Sequence, residues 1–122
     1  MSDTKALQRL ETIIKKINFI EDIVREYGSV PRALEDERKG RAAILMHLTS
    51  IAEQFDKLLH NGELEILSFF DKQDIKGSYD LRNYIAHDYE GVDLYIVESV
   101  VSERLPLIKD QAIKALKTIT DK

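Results

Sequence analysis

Two long apolar stripes constrain the fold of this chain more than any other feature. Leu7, Leu10, Ile13, Ile14, Ile17, Ile20, Val24 and Tyr27 recur at spacings of three and four, as do Leu45, Leu48, Ile51, Ala52, Phe55, Leu58 and Leu59. That recurrence lays one apolar band along a helix of 3.6 residues per turn. Each stripe is too long for a strand, which rarely exceeds about ten residues. Helices of this kind bury their bands against one another, so the chain reads as all-α. The expected architecture is an antiparallel bundle of four to five helices, folded as one domain over residues 1–122.

Capping and breaking residues mark the ends of these helices. Ser2 or Asp3 suits the start of the first, and Gly28 suits the left-handed residue that closes it. A second helix is expected over about residues 32–60, bent near Gly40 within the charged stretch Glu35 to Arg41 and stopped by Asn61-Gly62. Residues 62–71 read equally as a short helix or a packed loop, and they bring Ile66, Leu67, Phe69 and Phe70 to the core. Asp71 caps a third main helix that reaches Ala86 or His87, weakened at Gly77 by about 1 kcal/mol relative to alanine. Asp93 caps a fourth, with Leu94, Val97, Val100 and Val101 pointing inward. Pro106 kinks or restarts the chain into a last helix carrying Leu107, Ile108, Ala112, Ile113, Leu116 and Ile119.

Composition removes several classes of function. With no cysteine, disulfides, thiolate zinc sites and cysteine nucleophiles are all absent, which fits a reducing compartment. No run approaches the roughly 20 apolar residues of a membrane span, and the N-terminal stretch lacks the pattern of a signal peptide. A cytoplasmic protein without a membrane partner is therefore expected. A net charge of −4 argues against a non-specific nucleic-acid coat. A few arginines converging in one cleft would still outweigh a distant acidic surface.

The stretch DLRNYIAHDYEG, starting at Asp80, concentrates unusual chemistry. On a helix, Asn83 and His87 lie four apart on one face, Arg82 projects beside them, and Tyr89 falls just past the helix end. Arginine offers a planar, permanently charged fork that matches phosphate oxygens. Histidine exchanges protons near neutral pH, and a helix C-terminus favours its protonated form. The Asn83 carboxamide would orient the imidazole or touch the phosphate. In RNA the neighbouring 2′-hydroxyl is a built-in nucleophile, so proton transfer and charge stabilisation suffice. The same residues also read as a solvated helix face or a local hydrogen-bond set, and spacing alone leaves both open.

Other residues invite weaker readings. His47 and His60 stand thirteen apart on one helix, about 20 Å, which does not suit a metal site, so neither a metal nor a cofactor is expected. His47 falls off the apolar stripe and reads as a surface or dimer-face residue. Glu53 is either an edge residue of that stripe or a buried partner that orients Arg82, since an unpaired buried carboxylate is costly. Tyr79 and Tyr84 read as core or interface residues, although their rings could stack an RNA base. Lys72, Lys76 and Arg104 read as ordinary solvated charges.

The segment RNYIAHDY resembles the R-x4-H-x-Y motif of the HEPN ribonuclease toxins, the HepT-like partners of minimal nucleotidyltransferase (MNT) antitoxins. Arg82, His87 and Tyr89 stand at the motif positions, with Asn83 where that family carries a polar residue. The resemblance extends to SIAEQF around Glu53, to GVDLYIV and to RLPLIK. It implies a HEPN-like homodimer whose paired motif helices line one RNA-cutting cleft, and a metal-independent endoribonuclease acting as the toxin of a toxin–antitoxin pair. On that template His87 is the acid or base, Arg82 holds the scissile phosphate and Asn83 supports them. The same resemblance implies that Tyr89 is the residue adenylylated by the nucleotidyltransferase antitoxin. The alternative is a non-catalytic helical dimer that binds such a nucleotidyltransferase, or a nucleotide.

Overall fold

In the computed structural model, residues 3–121 are described. They form seven α-helices: α1 (Asp3–Tyr27), α2 (Val30–Glu35), α3 (Ala42–His60), α4 (Leu64–Leu67), α5 (Lys72–His87), α6 (Leu94–Ser99) and α7 (Leu105–Thr120). The four long ones, α1, α3, α5 and α7, make the bundle, and the short ones turn its corners. Ser2, one of the two caps expected for α1, lies outside the described residues.

The first stripe becomes the core as its spacing requires. Leu10, Ile13, Ile17 and Ile20 of α1 are fully buried and face Ile44, Leu45, Ile51, Phe55 and Leu58 of α3. Contacts between Arg9 and Gln54, and between Phe19 and His47, show that the two helices run antiparallel. Helix α3 packs on α5 on its other side, while α1 also packs on α7. Leu107 and Ile113 of α7 remain substantially exposed, as does Leu59 at the end of the second stripe. Helix α7 buries a narrow stripe through Leu105, Ile108, Ala112 and Ala115.

The expected single helix over 32–60 is interrupted, and its side chains explain why. At Asp36 the backbone leaves the helical region, and its carboxylate accepts from the Lys39 amide, starting a π-turn over Glu37–Arg41. The same carboxylate accepts from the Tyr27 hydroxyl, tying the end of α1 to the break. That hydrogen bond holds the Asp36 carboxyl below the usual carboxylate range and the Tyr27 phenol above its usual one. The Arg41 guanidinium donates to the Leu34 carbonyl at 2.7 Å, satisfying an orphan acceptor at the end of α2.

Elsewhere the punctuation acts as expected. Gly28 and Gly62 take positive φ, at 91° and 70°. Asp71 and Asp93 cap α5 and α6 by accepting from the Gln73 and Tyr95 amides. Residues 62–71 hold the short α4, with Ile66, Leu67 and Phe70 buried. Phe70 meets the Phe55 ring edge-on at 4.9 Å between centroids, which fastens this corner to α3. Pro106 sits in the first turn of α7, where its missing amide costs nothing.

Arg104 is not the ordinary solvated charge expected from the sequence. It grips Asp74, the one buried charged residue among those described, through two hydrogen bonds of 2.7 Å, and Asp71 lies 3.9 Å away. The fork-to-carboxylate geometry holds the guanidinium in its charged form, its pKa raised by the Asp74 bonds. The N-terminal end of α5 is thereby locked to the junction of α6 and α7.

Candidate functional site

The motif lies on α5 and just beyond it, as its spacing required, and the structure gives its members different surroundings. Arg82 is half-buried against α3. Its guanidinium lies 4.5 Å from the centroid of the Tyr79 ring, one turn earlier on the same helix. One terminal nitrogen stands 3.9 Å from an Asp56 carboxylate oxygen, and the other donates to the Asn83 carboxamide at 3.4 Å. The cation is therefore held from three sides at the seam between α3 and α5. Asp56 is shared, because the His60 ring lies 3.4 Å from its other oxygen.

His87 has a different environment. It is the last residue of α5, it is exposed, and the chain beyond it leaves the helix at Asp88. Five residues separate it from Arg82, so the two side chains leave the helix about 140° apart at 100° per residue. On one copy of α5 the guanidinium and the imidazole therefore set out in different directions. The Asn83 carboxamide is turned to Arg82, and no hydrogen bond joins it to His87 among the described residues, unlike the first of the two roles foreseen for it. Tyr89 opens a short 3-10 turn, Tyr89–Gly91, with Asp88 accepting from the Gly91 amide. The residue is 39% exposed.

Glu53 does not orient Arg82. It is exposed on the open face of α3, and the carboxylate that Arg82 meets belongs to Asp56. Helical phase carried the signal. At 100° per residue Asp56 lies about 40° from the buried Ala52, whereas Glu53 lies 100° from it. Tyr79 was also legible, since it precedes Arg82 by three residues. Neither Tyr79 nor Tyr84 enters the core; they are 41% and 50% exposed.

His47 lies away from the motif, between α3 and α1. Its ring centroid is 5.3 Å from that of Phe19, over which Lys15 and Lys16 reach, and its Nδ1 is buried without a hydrogen-bond partner among the described residues. Burial pushes its pKa below the usual imidazole range, and the Lys16 charge adds to the shift. Folding therefore disfavours the protonated form of His47, and the unfolded chain takes up its proton at a higher pH than the folded one. Stability contributed by this residue is full above the unfolded value and is lost as pH falls. Thermal melts should show the midpoint falling between about pH 7 and pH 5. In His47→Gln that part of the slope should vanish; an unchanged slope would overturn the assignment.

Among the described residues no three acidic or histidine side chains converge into a set that could hold a metal ion. No helix is long and apolar enough to cross a membrane.

The described helices form an all-α bundle consistent with a HEPN-like fold. A family model described as "Ribonuclease HepT-like" matches residues 13–115, which take in the whole motif. The chain belongs to that HepT-like ribonuclease family, which links it to toxin–antitoxin systems. No curated protein and no solved structure matches it.

Proposed function

We propose that this chain is the toxin of a toxin–antitoxin pair, a metal-independent endoribonuclease that works as a homodimer. The observation that carries the reading is the division of labour on α5. Arg82 is fixed at the surface by Tyr79, Asp56 and Asn83, while His87 is free at the helix end. A guanidinium held in that way loses little rotamer freedom on meeting a phosphate. Because the two groups diverge on one helix, a second copy of α5 facing the first is the natural way to bring Arg82 of one chain against His87 of the other.

In that composite cleft the 2′-hydroxyl of the RNA attacks the adjacent phosphorus. A P–O bond forms to the 2′-oxygen as the bond to the 5′-oxygen breaks. Arg82 stabilises the charge that builds on the non-bridging oxygens, and His87 transfers the proton that the attacking oxygen loses or the leaving oxygen gains. Asn83 keeps Arg82 in place. Asp56 joins the set as a positioning residue that the sequence had not singled out. The test is incubation of the purified chain with total RNA in EDTA. Cleavage that disappears in His87→Ala supports the reading, and an inert parent chain sinks it in favour of the helical module that only docks a nucleotidyltransferase.

The partner in this reading is an MNT-type nucleotidyltransferase antitoxin acting on Tyr89. The phenol oxygen attacks the α-phosphorus of a nucleoside triphosphate, adenylate is transferred and pyrophosphate leaves. The added nucleotide blocks the cleft by bulk and by negative charge. After co-expression with the partner, mass spectrometry should find the adenylate on Tyr89 and none on Tyr89→Phe. Equal modification of that variant would show that another side chain is the acceptor.

A further inference from the structure

A cavity beside the motif is lined by two of the residues that hold Arg82, Asp56 and Tyr79. It is a groove of about 730 Å³ between the C-terminal half of α3, α4 and the first turns of α5. Phe55, Leu59, Leu64, Leu67, Phe70 and Tyr79 form its walls. Its size falls in the range of small-molecule sites, roughly 300–1,000 Å³. Leu59 and Leu64 leave more than half of their surface in water at its mouth, at 53% and 67%. Lys72, Lys76 and His60 stand at the rim.

Two residues belong both to this groove and to the motif. The Tyr79 ring is a wall of the groove and also carries the Arg82 guanidinium at 4.5 Å. Asp56 lines the groove and is the carboxylate that Arg82 faces. Whatever Arg82 grips is therefore next to the groove mouth. We propose that the groove is a base-binding subsite: it takes a nucleobase of single-stranded RNA flanking the phosphate on Arg82, stacked against Tyr79. This deepens the ribonuclease reading and rests on it.

The chemistry of the walls fits that occupant. Every base has an apolar π-face, and an aromatic wall beside a cation is how single strands are held without reading sequence. The lining residues offer the edge of a base few hydrogen-bond partners, so the subsite selects an unstacked base over a paired one rather than one base over another. Lys76 is paired with Asp80 at 2.7 Å, but both side chains are largely exposed, so that pair yields to a phosphate at little cost. Lys72 and Lys76 then follow the backbone away from Arg82.

The experiment uses the full chain carrying His87→Ala, so that RNA stays intact, and a fluorescent single-stranded RNA of mixed sequence. Adding Tyr79→Ala should weaken binding about tenfold, while Tyr79→Phe, which keeps the ring, should bind as the parent does. Because Tyr79 also touches Arg82, the comparison is repeated in Arg82→Ala, where loss of the ring should still weaken binding. In parallel, RNA substituted with 5-iodouridine is photocrosslinked to the parent, and the crosslink should map to the segment carrying Phe70 or Tyr79. Crosslinks confined to other segments, or binding indifferent to Tyr79→Ala, would overturn the subsite. So would conversion of a dimer to a monomer by Tyr79→Ala and Leu64→Ala with RNA affinity unchanged, since the groove would then seat a second copy. If the parent cuts RNA and the subsite tests fail, only this inference falls. If the parent neither cuts nor binds RNA, the ribonuclease reading falls first.

Discussion

Arg82→Ala and His87→Ala should each lower the rate of RNA cleavage by at least about 100-fold, the scale on which a positioned proton donor or charge stabiliser acts. Both substitutions should leave the fold intact. His87 is exposed at a helix end, and Arg82 lies in a surface seam where its loss leaves Asp56 with the His60 ring beside it. Mixing the two inactive proteins is the more searching test. If each centre draws its arginine from one chain and its histidine from the other, a mixed dimer pairs one intact arginine with one intact histidine. An equilibrated mixture should then regain roughly a quarter of the parental rate, since half the dimers are mixed and each rebuilds one of two centres. A mixture as inert as its components would mean that each centre uses one chain alone. The 140° divergence of the two side chains on α5 would then need a rearrangement of that helix end.

The second large effect concerns stability. Gly40→Ala should lower the stability of the fold by about 3 kcal/mol, at the upper end of what overpacking costs. Thermal melting should drop by roughly 10 °C for a chain of this size. A Cβ on Gly40 would stand 2.3 Å from the Ala33 carbonyl oxygen and 3.1 Å from the Tyr27 ring. The first neighbour is backbone and cannot swing aside. The second is tied to Asp36 through its hydroxyl. Relief therefore requires α2 or the end of α1 to move. Gly77→Ala is the control, because a Cβ there meets nothing within 4 Å and the helix gains up to about 1 kcal/mol. Melting of Gly40→Ala within about a degree of the parent would show that the contact relaxes freely.

Gly40 also shows how far local pattern carries. Its place in a charged stretch suggested a bent helix. The structure has instead a full break at Asp36 and a π-turn, because one carboxylate serves both the Lys39 amide and the Tyr27 hydroxyl. Tyr27 is nine residues away on another helix, so no periodicity reveals that tie. Arg104 makes the same point, since its partner Asp74 lies thirty residues earlier and only the packing of α5 beside the α6–α7 junction joins them. At the site, Arg82, Asn83, His87 and Tyr89 were legible as a motif, and Tyr79 lay within helical reach of Arg82. Glu53 read equally as an edge residue of the stripe or as the partner of Arg82, and helical phase puts Asp56, not Glu53, on the side of α3 that faces Arg82.

What the sequence alone determined is whatever depends on neighbours within a turn or two. That covers the helical stripes, the caps at Asp71 and Asp93, the stops at Gly28 and Gly62, and the placement of the motif at a helix end. These follow from backbone geometry and from hydrogen bonds that close within a few residues. Tertiary packing alone decided which charges meet across helices, which motif side chain is clamped and which is free, and that an apolar groove opens beside Arg82. Those depend on how four long helices set their faces against one another, and side chains far apart in the chain become partners only once that packing is made.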